Sequence, residues 1–176
     1  MQTETVNQIL ASIAFVFGQQ RKLAEGAARQ VDDTQFFHSP APDANSIAVI
    51  MKHVGGNLRS RWTDFLTTDG EKPDRNRNGE FIITNESRAD IMRMWENGWS
   101  QLEKTLASLR ADDLHKTVTI RGEPHTVDQA LTRSLAHASH HAGQIVLLAR
   151  ILAGEQWQTL SIPRDTTQRV RGNFWT

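Results

Sequence analysis

Cysteine is absent from the 176 residues. That excludes a disulfide framework, thiolate metal ligands and a cysteine nucleophile. An excess of charge is absent too: 20 Lys and Arg balance 20 Asp and Glu. A neutral chain does not suit bulk attraction to DNA, RNA or an acidic membrane, although it is compatible with a local basic patch. No apolar run approaches the ~18 residues that span a bilayer. The opening MQTETVNQIL lacks the positive-then-apolar pattern of a secretory signal. There is no glycine-rich phosphate loop of the Walker or dinucleotide type, no internal repeat and no low-complexity tract. These absences leave one soluble, cytoplasmic domain over residues 1–176 as the expectation.

What the chain does contain is helical periodicity. Between Thr3 and Gln30, Val6, Ile9, Leu10, Ile13, Phe17 and Leu23 recur at three- and four-residue steps. A second segment runs from about Asn45 to Phe65 and carries Ile47, Ile50, Val54, Leu58 and Phe65 as its stripe. It follows FFHSPAPDANS, whose prolines, Asp43, Asn45 and Ser46 predict a turn and then a helix N-cap. A third segment runs from about Asn85 to Leu109, with Ile91, Met94, Trp95, Leu102 and Leu106 in register. The fourth begins at Thr126, which forms a capping-box pattern with Gln129, and ends near Leu152 before Gly154. The polar, aperiodic stretch Thr67 to Phe81 is expected to be a long loop, either a site element or a solvated crossover. His115 to Val127 predicts a short hairpin or extended arm turning at Arg121-Gly122-Glu123. Trp157, Phe174 and Trp175 suggest that the tail packs back on the rest. The whole predicts an all-α, four-helix bundle.

Seven histidines are present, and three of them fall in HASHHAGQI, residues 137–145. On a helix each residue turns by ~100°. With His137 at zero, His141 lies at ~40° and His140 at about −60°. The apolar residues of this segment lie between ~20° and ~120°. His137 and His141 therefore sit at the edge of the buried stripe, and His140 points away from it. Two histidines at i and i+4 can share one ion, but a catalytic site of the zinc type usually takes three protein ligands. His53 is the candidate third ligand. Its stripe neighbours lie at ~60° to ~140°, so it also borders an apolar face on another helix. The competing reading is that these are hydrogen-bonded boundary histidines. His38, His115 and His125 stand in polar or loop contexts and are expected to be solvated.

Other constellations carry less. Glu71, Asp74, Glu80 and Glu86 could supply a base or a fourth ligand, though acidic loop residues are usually solvated. Arg75 and Arg77 could hold an anionic substrate group or form salt bridges within the loop. Trp62, Trp95 and Trp99 fit core packing better than a pocket lining. Gln144, at about −20°, could orient a group beside the histidines.

LAHASHHAGQIVLLARIL resembles the last bundle helix of the DinB/YfiT-like superfamily, whose members are regarded as metalloenzymes. IAVIMKHVGGNLRSRWTDFL resembles its second helix, which carries one histidine, and DGEKPDRNRNGEF resembles a loop of an uncharacterised subfamily. The resemblance covers most of the chain in order and spacing. It implies an up-down-down-up bundle with a long loop between helices two and three and the hairpin or arm before helix four. It implies a divalent metal, most commonly zinc or nickel, on His53, His137 and His141. It also implies a small-molecule substrate and often a homodimer. Characterised relatives include transferases and isomerases that use low-molecular-weight thiols, so the leading expectation is a metal-dependent, thiol-dependent S-transferase or a hydrolase. Thiol transfer is preferred on the resemblance alone. The alternatives are a non-catalytic metal- or ligand-binding bundle of a stress response, and a metal-free protein with structural histidines.

Overall fold

A computed structural model describes residues 2–161. It is mostly helical, with one two-stranded sheet. In chain order the elements are α1 (Gln2–Ala28), α2 (Asp33–Phe37), α3 (Ile47–Trp62), α4 (Arg88–Ser108), β1 (Thr117–Ile120), β2 (Glu123–Thr126) and α5 (Val127–Ala153). Single 3-10 turns occur at Asn78–Phe81, Ala111–Asp113 and Gly154–Gln156. None of the described helices is long and apolar enough to cross a membrane.

The start and stop signals act where the residue chemistry requires them. Ser46 caps α3 by accepting the Val49 N–H. Thr126 and Gln129 form the capping box that opens α5, and Gly154, at φ +55°, closes it. Two boundaries differ from expectation. Helix α3 ends at Trp62, and the chain then turns through Asp64 at φ +46°, leaving Phe65 buried but outside the helix. Helix α4 starts at Arg88, because Ser87 and Asp90 form its capping box. Helix α2 is an addition that the apolar pattern does not announce, although its own capping box, Asp32 with Gln35, is present. Trp157 does pack against the core, whereas Phe174 and Trp175 lie outside the described residues.

Trp62, Trp95 and Trp99 are fully buried and belong to the core. The Phe17 and Trp99 rings meet edge to face at 6.2 Å between α1 and α4. Helices α3 and α4 approach closely because glycines face each other across the seam. A Cβ at Gly98 would stand 2.8 Å from the Gly55 Cα, and one at Gly55 would stand 2.6 Å from the Met94 carbonyl oxygen. Further along the seam, the Thr105 hydroxyl donates to the Trp62 carbonyl at 2.9 Å.

The hairpin turns at Arg121 and Gly122, both at positive φ (+58° and +76°), as a two-residue turn matched to strand twist demands. Val118 and Ile120 point into the core. The connection from α3 to α4 docks on this hairpin. The Gly70 N–H donates to the Thr119 carbonyl at 2.8 Å. The Asp69 carboxylate accepts the backbone N–H groups of Arg121 and Gly122 at 2.8 and 2.7 Å. Burial opposes ionisation of Asp69, but the N–H groups of Glu71, Gly122 and Arg121 outweigh it and hold its pKa at about 2.

Because both sides of the α3–α4 seam are backbone, a methyl group there has no flexible neighbour to displace. Gly98→Ala is expected to lower unfolding free energy by about 1–3 kcal/mol, read from urea unfolding. Wild-type stability in this variant would show that the helices are free to separate at that point.

Candidate metal centre

Helix α3 presents His53, and helix α5 presents His137 and His141 one turn apart. Their ring nitrogens converge. The His137 Nε2 lies 3.2 Å from the His53 Nε2 and 3.2 Å from the His141 Nε2. One ligand atom from each residue lies within 4.8 Å of the other two, close enough for all three to bind one metal ion. Two nitrogens bound tetrahedrally at the usual zinc–imidazole length would be about 3.3 Å apart. The donor set therefore fits a divalent cation.

The outer nitrogens fix the tautomers. The Nδ1 of His53 lies 2.9 Å from the Glu80 carboxylate, and the Nδ1 of His141 lies 2.8 Å from Oε1 of Gln144. Each Nδ1 carries the proton and donates it, so each Nε2 offers a bare lone pair. Both lone pairs face the Nε2 of His137. A single N–H on His137 would satisfy one of them, and a cation would satisfy all three. Holding the outer nitrogen in this way is the usual support for a metal-binding histidine.

Glu80 reaches this position through the loop. The 3-10 turn at Asn78–Phe81 presents Glu80 to His53 and lays the Phe81 ring over the imidazole, with centroids 4.6 Å apart. Gly56 leaves the space, since a Cβ there would come within 2.8 Å of the Glu80 Cδ. Arg75 grips both Glu80 oxygens at 2.7 Å and also donates to Glu71 at 3.0 Å. Burial alone would raise the Glu80 pKa. The hydrogen bonds from His53 and Arg75 prevail and hold it below the ordinary carboxylate value.

The sequence-predicted residues divide accordingly. His53, His137 and His141 come together, and His140 is exposed. His38 and His115 are exposed, while His125 is half-buried, 3.2 Å from the Arg133 guanidinium. Glu80 is not a solvated loop acid: it is 7% exposed and supports His53. Glu86 pairs with Lys52 and Asp74 with Arg59, and neither bonds to a histidine among the described residues. Gln144 orients His141. Arg61 and Ser134, both buried beside this centre, are additions to the residues singled out from sequence. Their signal was available. Arg61 falls ~80° from His53 and Ser134 ~60° from His137, so both polar residues sit within apolar stripes.

Burial pushes the His137 imidazole from its ordinary 6.5 down to about 3, with help from His141 and His53. Burial takes His141 down to about 4, against the opposing hydrogen bond to Gln144. Both rings are therefore neutral at pH 7 in the folded chain and available as ligands. The unfolded chain binds the extra protons once pH drops below about 6.5. The stability of the metal-free protein is thus fully present above that pH and is lost progressively as pH falls toward about 4 and then about 3. Thermal melts of chelator-stripped protein between pH 7 and pH 4 should show this slope, and His137→Ala/His141→Ala should flatten it. Parallel slopes in the two proteins would contradict the buried, neutral state.

A family model described as "Protein of unknown function (DUF1572)" matches residues 4–166, a span that includes all three histidines and Glu80. No curated protein matches the chain. The matched family is a DinB/YfiT-like domain, in agreement with the helix and loop motifs read from the sequence. With nearly its whole length covered, the chain belongs to the DUF1572 family.

Proposed function

We propose that this protein is a divalent-metal-dependent enzyme and that His53, His137 and His141 hold the ion. The observation that carries this reading is the convergence of three Nε2 atoms, two of them on rings whose Nδ1 protons are already held by Glu80 and Gln144. Zinc or nickel suits three neutral imidazoles. Such an ion supplies Lewis acidity at its open positions and lowers the pKa of a bound water or thiol toward neutrality.

The protein's own part is positional. Glu80 keeps the His53 Nδ1 protonated and its ring fixed, and Arg75 keeps Glu80 ionised. Gln144 does the same for the orientation of His141. Phe81 covers His53 on one face. The chain has no cysteine, so a thiol reaching the ion must come from solution. Transfer of a low-molecular-weight thiol to an electrophile is the preferred reaction, on the family resemblance, with hydrolysis as the second. We further read the protein as a cytoplasmic homodimer without nucleic-acid or membrane partners, in keeping with that resemblance and its zero net charge.

The helices are read as one up-down-down-up bundle. Contacts along α3 and α4 rise together, Gly55 to Gly98 and then Trp62 to Thr105, which supports a parallel pair. Contacts of α1 with α4 run oppositely, Phe17 to Trp99 and then Glu25 to Trp95, which supports an antiparallel pair. The long connection between α3 and α4 gives room to return the ~24 Å length of α3.

Elemental mass spectrometry of untagged protein tests the metal. About one divalent ion per chain is expected in the wild type, and almost none in His137→Ala/His141→Ala. Trace metal in both, even after reloading with zinc and nickel, would remove the basis of the reading. Glu80→Gln is expected to weaken zinc binding about 10- to 100-fold in competition with a chelator. Turnover of a thiol with an electrophile by the loaded wild type, lost in the double variant, is the expected activity. Full occupancy with no turnover across a broad thiol and ester panel would instead make the protein a metal binder.

A further inference from the structure

Five buried side-chain polar atoms lack a hydrogen-bond partner among the described residues, and three of them are Arg61 Nη1, Ser134 Oγ and His137 Nδ1. These three residues line one cavity of about 190 Å³. The remaining two atoms are tryptophan indole nitrogens. Two of the three, a guanidinium N–H and a hydroxyl, can donate whether or not the histidines hold an ion, and the imidazole adds an N–H once the His137 Nε2 is committed to the centre. What the cavity lacks is an acceptor of negative charge. Arg77, Arg121 and Arg133 also line it, and among the described residues no Asp or Glu does.

Arg61 is the decisive residue. It is 7% exposed and forms no ion pair among the described residues. Neighbouring Arg75 lies just as deep but is matched by Glu80 and Glu71. Burial pulls the Arg61 pKa down to about 10, with Arg133 and Arg75 adding to the effect and the more distant charge of Glu71 opposing it, so it remains a cation at neutral pH. The Gly70 backbone packs on its stem, where a Cβ would come 3.0 Å from the Arg61 Cδ. A buried, positioned and unpaired guanidinium opposes folding unless a counter-charge arrives. Guanidinium N–H groups match the oxygens of a carboxylate or phosphate.

We propose that this cavity binds the oxyanion group, carboxylate or phosphate, of a small substrate and holds it beside His53 and His137. Calling the ligand a substrate rests on the metal-enzyme reading, whereas the anion site itself stands on the cavity. At about 190 Å³ the cavity admits only a small group.

The test uses the full chain, stripped of metal and dialysed free of chelator. Sodium phosphate and sodium succinate are titrated at constant ionic strength set with sodium chloride, and the melting temperature is read. A saturable rise is expected with at least one anion, and the preferred one distinguishes a phosphoester from a carboxylate ligand. Arg61→Met is expected to weaken the apparent Kd about tenfold or more, and Arg61→Lys is expected to retain part of the response. Arg61→Met should melt no lower than the wild type without anion, because it removes an unmatched buried charge. If it folds poorly, Ser134→Ala and Arg133→Gln take its place, each expected to weaken the same response. No saturable rise with either anion, or an unchanged response in the substituted proteins, overturns the proposal. Zinc stoichiometry measured in parallel separates the two readings. An anion response without zinc binding sinks the metal centre alone, and zinc binding without an anion response sinks the cavity alone.

Discussion

Keeping the Glu80 carboxylate charged while it is buried requires a matched cation, and the arrangement around the histidines follows from how that match is made. Arg75 takes both oxygens in a fork, and His53 adds its Nδ1 proton to one of them. Charges then alternate outward, from Glu80 to Arg75, to Glu71, and to Arg121 at the hairpin tip. Removing one partner from such a buried set leaves an uncompensated charge, which costs far more than a surface ion pair contributes. The long loop therefore cannot drift from α3 without exposing or orphaning charge. The orientation of one histidine ring is fixed by a network that begins at the surface.

Two arginines near the centre show how burial alone decides little. Arg75 and Arg61 are both deep, but the first completes a network and the second forms no ion pair among the described residues. The zero net charge of the chain conceals this asymmetry, because it counts every carboxylate alike, while four arginines gather around one cavity whose lining, among the described residues, includes no carboxylate. Composition speaks to the whole surface and is silent about a local concentration of one sign.

The helices and the histidine faces were legible because both obey one angular rule. His53, His137 and His141 border their stripes, and His140 does not, and the structure places them accordingly. Glu80 was not legible as a partner of His53, because a loop has no period from which to read direction. Its position depends on the Asn78–Phe81 turn and on space left by Gly56, and both are properties of tertiary packing. Arg61 and Ser134 were readable in principle as polar residues within apolar stripes. Attention to titratable residues at the stripe edge passes over them. The α2 helix shows a different limit: five residues are too few to display periodicity, and only their capping box marks them.

The two backbone N–H bonds that Asp69 accepts at the hairpin turn join the loop and the hairpin into one body. Arg121 sits on that turn and lines the cavity, and Glu80 stands on the same loop. The walls of the cavity and the support of the histidine are thus fixed relative to each other before any ligand arrives. A site whose walls are organised in advance spends little of a ligand's binding free energy on ordering the protein.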